Sequence, residues 1–334
     1  KGNIAITELL LERGAKPDIV KDFGTETPMS IAIEQKNKAA VFLLNRYLPA
    51  EQQNHQFGKQ RKIVVTGGNR GIGKATAKQL LLEGHRVVIT SRNEEQGNAV
   101  VEELKSETKN PYLELLQGDL SSISTCKALV EKIKKEHNDL EVLINNAGVW
   151  MQEKQLNEDG LEMTFMVNYL APYLLCKELF PILKNNQPGR IVNVNSTAHL
   201  FGKLDIEKTP YGLDFNKVRT YANSKFCGML FHVDFAKEIE NSGVTLNSVH
   251  PGAIKTGIGD APNFLSRIFQ FTKRFFKSPA YGAANLVHLA INDELEGING
   301  NYYHEKKKQA LKKTVKNEEL RTALRLWTEE MLSR

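Results

Sequence analysis

Short apolar runs alternate with longer amphipathic stretches through most of the chain. Six runs rich in β-branched and aliphatic residues predict strands, at residues 63–65, 86–90, 113–116, 142–144, 190–194 and 244–249. Helical periodicity fills the intervals between them, beginning with residues 74–83. This alternation predicts an α/β fold, a doubly wound parallel sheet (Rossmann-type) with helices on both faces.

The first 48 residues follow another pattern. Leu10-Leu11 recurs as Leu43-Leu44, and a helix start written Thr27-Pro28 lies between them. This spacing resembles an ankyrin repeat and predicts a small all-α segment, residues 1–48, that offers a surface to a protein partner. A single repeat cannot bury its own apolar face, so either more repeats precede Lys1 or the segment packs on the next domain. The polar residues 49–60 predict a linker, and residues 61–334 a Rossmann-type domain with C-terminal helices.

Composition narrows the class of protein. The chain has 334 residues, of which 41% are hydrophobic and 25% charged, and these are ordinary globular values. A net charge of +6 fits an anionic ligand or a membrane surface as well as nucleic acid, and without a groove-reading motif we expect no nucleic acid. Three widely spaced cysteines favour buried thiols in a reducing, cytoplasmic compartment. No group of side chains has metal-ligand spacing, so we expect no metal.

A glycine-rich loop follows the first strand of the Rossmann-type domain. Gly67 permits a tight turn, Gly71 permits close approach of a pyrophosphate, and Gly73 lets the next helix pack on the strand. The helix start supplies free N–H groups for phosphate. The order strand, loop, helix predicts a dinucleotide site, with cofactor contacts from Gly67, Asn69, Arg70, Gly71, Ile72 and Gly73.

The end of the second strand indicates which dinucleotide binds. NAD sites place a carboxylate there, whereas this strand ends Thr90-Ser91-Arg92. Arg92 can bind a 2′-phosphate through two hydrogen bonds, and Arg70 can join it. The sequence therefore favours NADP(H) over NAD(H).

The motifs taken together resemble the short-chain dehydrogenase/reductase family from Arg61 to about His304. The matching motifs are TGGNRGIG at 66–73, Asp119-Leu120, NNAG at 145–148, Asn168, Ser196, Tyr221 with Lys225, and Pro251-Gly252. The stretches NEDGLE and RIVNVNSTAH, with Leu326-Trp327, are similar to the retinol dehydrogenase-like branch.

The residue types in these motifs suit carbonyl chemistry. Tyr221 and Lys225 are four residues apart and share a helix face, so we expect the lysine to lower the pKa of the phenol. Tyr221 then acts as general acid or base, and Ser196 at the carboxyl edge of the sheet polarises the substrate oxygen. The resemblance implies that Asn168 holds a water that relays protons to Lys225. The predicted catalytic residues are Asn168, Ser196, Tyr221 and Lys225.

The resemblance also implies the rest of the site. Further cofactor contacts fall on Arg92, Asp119, Leu120, Asn146, Ala147, Gly148, Tyr221, Lys225, Pro251, Gly252, Ile254 and Thr256. The predicted substrate pocket consists of Val149, Trp150, Met151, His199 and Phe201, which implies a lipophilic alcohol or carbonyl compound. His199 is interpreted as a structural histidine in preference to an additional catalyst.

Several alternatives remain open at this point. The segment Phe264–Phe276 is basic and aromatic, and it can form a substrate lid, lie on an internal membrane as a peripheral contact, or pack as an ordinary helix. The leading hypothesis is an NADP(H)-dependent oxidoreductase acting on a retinoid-, steroid- or aldehyde-like compound. The alternative is an ankyrin-docked interaction protein whose dehydrogenase domain senses NADPH. A homodimer through the helices that carry Asn168 and Tyr221 is a further expectation.

Overall fold

The computed structural model describes residues 4–19, 26–48, 59–252 and 277–333. Several sequence predictions fall outside these ranges. They are most of the linker, the cofactor contacts Ile254 and Thr256, and the basic aromatic segment Phe264–Phe276.

An eight-stranded sheet forms the centre of the molecule. Its strands stand in the order β3-β2-β1-β4-β5-β6-β7-β8, and every neighbouring pair is parallel except β7 with β8. The strands are β1 Lys62–Val65, β2 Arg86–Ser91, β3 Leu113–Gln117, β4 Val142–Asn145, β5 Gly189–Val194, β6 Val244–His250, β7 Tyr302–His304 and β8 Lys307–Gln309. The six predicted strands and the doubly wound parallel α/β sheet are confirmed, and the two short strands at one end of the sheet, β7 and β8, were missed.

Helices cover both faces of this sheet. On one face α4, α5 and α10 enclose a core that includes Leu80, Val100 and Leu286. On the other face α6, α8, α9 and α11 enclose a larger and more aromatic core. The helices are α1 Ile4–Glu12, α2 Pro28–Glu34, α3 Lys38–Tyr47, α4 Gly71–Leu82, α5 Glu94–Thr108, α6 Ile123–Glu136, α7 Met163–Phe165, α8 Ala171–Asn185, α9 Lys217–Glu238, α10 Pro279–Ile291 and α11 Glu318–Ser333. A π-helical turn, Met166–Leu170, joins α7 to α8.

The three N-terminal helices pack on the Rossmann-type domain. The ring of Phe42 in α3 stacks on His85, with 5.9 Å between ring centroids, just beyond the end of α4. The hydroxyl of Tyr112 donates a hydrogen bond of 2.8 Å to Glu8 of α1. Tyr112 also packs against the small apolar core that α1, α2 and α3 share. The segment therefore packs on the following domain.

Two further features concern the described residues. Cys126, Cys176 and Cys227 are all buried and form no disulfide. Within the described ranges, no helix combines the length and the apolar character that a bilayer span requires.

Candidate active site

The glycine-rich loop connects β1 to α4 at the carboxyl edge of the sheet. Gly67 and Gly71 adopt φ angles of +64° and +55°, which side chains disfavour. A Cβ at Gly73 would lie 2.3 Å from the carbonyl oxygen of Gly67, so only glycine fits this turn. The hydroxyl of Thr90 in β2 accepts a hydrogen bond from the N–H of Gly67 at 3.2 Å. The loop is thus held close to the neighbouring strand.

The start of α4 is arranged to receive an anion. Arg70 is the N-cap residue, and its side chain makes no hydrogen bond to the first helical turn. The N–H groups that open a helix need partners, and phosphate oxygens are suitable ones. Gly71, at this start, has no side chain to block the approach, and Asn69 and Ile72 flank it. The residues present therefore fit a pyrophosphate group.

Two arginines lie beside this helix start. Arg70 precedes α4, and Arg92 follows the last residue of β2, Ser91; both arginine side chains are exposed. Asp119 and Leu120 follow β3 at the same edge of the sheet, and the carboxylate of Asp119 accepts a hydrogen bond from the N–H of Ser121 at 3.0 Å.

The NNAG segment after β4 is bound to the glycine loop. The hydroxyl of Thr66 accepts hydrogen bonds of 3.0 Å from the N–H groups of Asn146 and Ala147. The side-chain amide of Asn146 donates to the carbonyls of Thr66 and Gly67, at 2.9 and 3.3 Å. The resemblance implies a cofactor contact for Asn146, and in the structure its amide nitrogen also braces the glycine loop. Thr66 itself was missed, although it begins the motif.

Ser196, Tyr221 and Lys225 come together at the carboxyl ends of β5 and β6. The hydroxyl of Ser196 lies near enough to the phenol of Tyr221 to lower its pKa, and its oxygen accepts a hydrogen bond of 3.2 Å from the N–H of Ala198. Lys225, one helical turn beyond Tyr221 in α9, places its Nζ atom 5.8 Å from the centre of the phenol ring. That Nζ atom donates a hydrogen bond of 3.1 Å to the backbone carbonyl of Val194. The structure thus brings the three predicted groups into one cluster.

The electrostatics of this cluster differ from the expectation. Burial raises the pKa of the Tyr221 phenol above its ordinary value, and the hydrogen bond from Ser196 opposes part of that rise. Burial also lowers the pKa of Lys225 to about 8. The prediction that Lys225 lowers the pKa of Tyr221 was wrong for this arrangement, because loss of solvent is the largest cause of the shift and the ammonium is bonded to Val194.

Asn168 lies in the π-helical turn and clamps the NNAG segment. Its side-chain oxygen accepts from the N–H of Val149 at 2.8 Å, and its amide donates to the Val149 carbonyl at 2.9 Å. The same amide donates to the hydroxyl of Ser224 at 3.1 Å. The side chain of Asn168 is therefore occupied by the protein. A Cβ at Gly148 would lie 3.2 Å from the Asn168 oxygen and 3.8 Å from the Lys225 Nζ atom, so this groove favours glycine.

The residues predicted for the substrate pocket do not all lie together. Val149, Trp150 and Met151 follow the NNAG segment and are half-buried near Tyr221. His199 is buried, with its Nδ1 atom 2.7 Å from the Ser196 carbonyl and its ring edge-on to Tyr302. This agrees with the structural interpretation of His199 and not with a place in the pocket.

The remaining predicted positions lie near the same edge of the sheet. Phe201 is 80% exposed at the end of a short 3-10 helix. Pro251 and Gly252 are buried directly after β6, and the Asn285 amide donates to the Pro251 carbonyl at 3.0 Å.

Two supporting residues were not predicted. Ser224 donates a hydrogen bond of 2.8 Å to the backbone carbonyl of Tyr221 while it accepts from Asn168. Asn195 accepts from the N–H of Ser196 at 2.7 Å and donates to the Lys225 carbonyl at 3.2 Å. Both are immediate neighbours of motif residues, and that adjacency is the signal that could have identified them.

Comparison with known proteins agrees with this arrangement. Mouse retinol dehydrogenase 12 is 35% identical over 265 residues, which cover 79% of this chain and 83% of that protein. Human retinol dehydrogenase 11 is 36% identical over 265 residues, with the same coverage of each chain. Among solved structures, the Pseudomonas aeruginosa RhlG/NADP active-site complex superposes with a TM-score of 0.59 at 22% identity. The superposition covers 75% of this chain and 97% of the P. aeruginosa chain, and it shows that the two proteins share a fold.

Residues 61–263 match the family described as short chain dehydrogenase. This match spans β1 to β6, and it includes the glycine loop, the NNAG segment and the cluster of Ser196, Tyr221 and Lys225. Together with the similarity to the two retinol dehydrogenases, it identifies an oxidoreductase that acts on CH–OH groups. The chain belongs to the short-chain dehydrogenase/reductase family.

Proposed function

We propose that this oxidoreductase uses NADP(H) to interconvert a lipophilic alcohol and its carbonyl compound. The observation that carries the proposal is the convergence of the Ser196 hydroxyl, the Tyr221 phenol and, one helical turn beyond it, the Lys225 ammonium. The cluster stands at the same edge of the sheet as the uncapped start of α4. Dinucleotides and their substrates meet at this edge in doubly wound folds.

Each residue of the cluster has a separate task in this proposal. When bound, the nicotinamide ring supplies or accepts the hydride. Ser196 donates a hydrogen bond to the substrate oxygen and stabilises the charge that develops there. Tyr221 transfers the proton between its phenol oxygen and the substrate oxygen. Lys225 supplies a replacement proton to Tyr221 after reduction and accepts the proton from it after oxidation, since a pKa of about 8 allows it to exchange protons near neutral pH. Asn168, whose side chain is engaged by Val149 and Ser224, keeps the cofactor groove in shape.

The preference for NADP(H) depends on charge. Arg92 and Arg70 stand exposed where a 2′-phosphate of the adenosine ribose would lie, and β2 ends in Ser91 where a NAD site has a carboxylate. The P. aeruginosa relative whose fold is shared was solved with NADP. Guanidinium groups bind phosphate through paired hydrogen bonds.

The substrate class follows from the side chains next to the cluster. Val149, Trp150 and Met151 present apolar and aromatic surface beside Tyr221. The curated relatives are named retinol dehydrogenases, which supports a retinoid among lipophilic candidates that include steroids and long aldehydes.

We propose further that residues 1–48 form an ankyrin-like segment and residues 61–334 the dehydrogenase domain. Pro28 opens α2 behind Thr27, whose side chain caps the Ser30 N–H at 3.0 Å, and α3 follows after a short turn. This is the helix pair that such a repeat requires. The comparisons lend no support to the alternative of an interaction protein that only senses NADPH.

A cofactor and substrate screen tests the proposed function. The purified protein is given NADPH or NADH with all-trans-retinal, a steroid ketone or a long-chain aliphatic aldehyde, and cofactor absorbance is followed. We expect turnover of at least one carbonyl compound, faster with NADPH than with NADH. Binding of NADPH without turnover of any of the three, or of their alcohols with NADP, would favour the sensor alternative.

A further inference from the structure

The ring of Trp150 stacks on the ring of Tyr221. The two ring centroids are 5.4 Å apart and the planes are inclined by 29°. Offset stacking at this separation is a favourable arrangement for two aromatic rings. Trp150 follows the NNAG segment after β4, whereas Tyr221 lies in the first turns of α9, so the stack joins two elements that are distant in sequence.

Trp150 is anchored through its indole ring and through the residue that precedes it. Its indole N–H donates a hydrogen bond of 2.7 Å to the carbonyl of Lys217, the first residue of α9. Its neighbour Val149 is held through its own N–H and carbonyl by Asn168. A long aromatic side chain anchored in this way has little freedom to rotate. The plane that it presents to Tyr221 is therefore well defined.

The stack bears on the part of Tyr221 that reacts. Contact with the Ser196 hydroxyl alone leaves the Tyr221 ring free to swing. An anchored indole against one side of the ring removes this freedom. The stacked indole also takes part of the Tyr221 ring surface out of contact with water, and both side chains are half-buried.

We infer that Trp150 is a positioning residue for Tyr221, which holds the phenol ring at the angle for proton transfer and shields it from water. The inference rests on the proposed function, in which Tyr221 transfers the proton. It gives Trp150 a task that differs from lining the substrate pocket. A pocket residue would change substrate affinity, whereas a positioning residue changes the rate of the chemical step and its dependence on pH.

Kinetics of two variants distinguish these roles. In Trp150→Ala we expect kcat for carbonyl reduction to fall about 100-fold, the size of effect that follows a small displacement of a reacting group. The high-pH limb of the kcat profile should move to lower pH, because water reaches the phenol. Trp150→Phe keeps a stacking ring, so its kcat and the high-pH limb of its kcat profile should be close to those of wild type. Trp327→Phe, which alters the other tryptophan of the chain, serves as the control and should behave as wild type. A rise in KM with kcat and the pH limb unchanged in Trp150→Ala would overturn the inference.

A fluorescence titration tests the stack without any turnover, so its result stands even if the proposed function fails. In Trp327→Phe, Trp150 is the remaining tryptophan, because the chain has two. An ionised phenol in contact with an indole quenches its emission. We expect the emission to fall at alkaline pH as Tyr221 ionises, and this fall to be lost in Trp327→Phe/Tyr221→Phe. The same titration curve in both proteins would show that the rings are not in contact, and it would overturn the inference.

Discussion

The ammonium group of Lys225 donates its hydrogen bond to the backbone carbonyl of Val194, at 3.1 Å, and not to the phenol one helical turn before it. Lys225 is buried, with 6% of its surface exposed. Burial of a charge with a single neutral partner costs folding free energy, and the lowered pKa of about 8 expresses that cost. The geometry therefore places a destabilising residue at the centre of the site, which is typical of a group kept for function.

Replacement of Lys225 by Met should stabilise the protein at pH 7. Burial of the charged form of Lys225 costs about 3 kcal/mol of folding free energy, and this cost is absent from the variant. Loss of the hydrogen bond to Val194 offsets about 1 kcal/mol, so we expect the free energy of unfolding to rise by about 2 kcal/mol. Urea unfolding at pH 7 measures the gain. Lys237→Met, an exposed lysine near the end of the same helix, should change stability little.

The stability gained by Lys225→Met should also depend on pH. Folded Lys225 has a pKa near 8 and an unfolded lysine one near 10.4, so the unfolded chain binds more protons between these values. Wild-type stability therefore rises across this window, and the advantage of Lys225→Met shrinks as the pH approaches 10. A Lys225→Met protein that is less stable than wild type at pH 7 would contradict this reading of the site.

Removal of Arg92 should weaken NADPH binding selectively. A charge-assisted contact to the 2′-phosphate is worth about 2 kcal/mol, so Arg92→Ala should raise the Kd for NADPH about 30-fold and leave the Kd for NADH unchanged. Arg86→Ala is the matched control, because Arg86 begins the same strand and pairs with Asp139 at 2.6 Å. Equal weakening of both cofactors by Arg92→Ala would argue against a phosphate contact.

The three cysteines should resist thiol reagents in the folded protein. All three are buried, and burial raises the pKa of the Cys126 and Cys176 thiols to about 12 and that of Cys227 in the same direction. The thiolate is the reactive form, and it is absent at neutral pH under these conditions. Labelling with a chromogenic disulfide should be slow before urea is added and complete afterwards. Rapid labelling of the native chain would show that one of these sites opens.

Much of the fold could be predicted because its signals are local. The β-branched runs that form β1 to β6 are visible one strand at a time, and the loop Thr66–Gly73 carries its turn requirements in its own glycines. By contrast, β7 and β8 have three residues each, too few for a period to appear. Their formation depends on the edge that β6 offers.

Features of the site that depend on distant parts of the chain could not be predicted from local sequence. The spacing of Tyr221 and Lys225 predicted their proximity, which depends only on helix geometry. It could not predict the sign of the pKa shift, because burial depends on packing from other parts of the chain. His199 was placed in the pocket for its position after Ser196, but its ring turns inward to Tyr302 of β7. Because β7 was not predicted, the contact of His199 with Tyr302 could not be predicted.

Turnover by Tyr221→Phe tests the central claim most directly. This variant keeps the ring that stacks on Trp150 and removes only the phenol hydroxyl. Loss of a general acid should reduce kcat for reduction of the best carbonyl substrate about 1000-fold, while the Kd for NADPH, followed by cofactor fluorescence, stays within about twofold of wild type. Turnover within about tenfold of wild type, with NADPH still bound, would contradict the account.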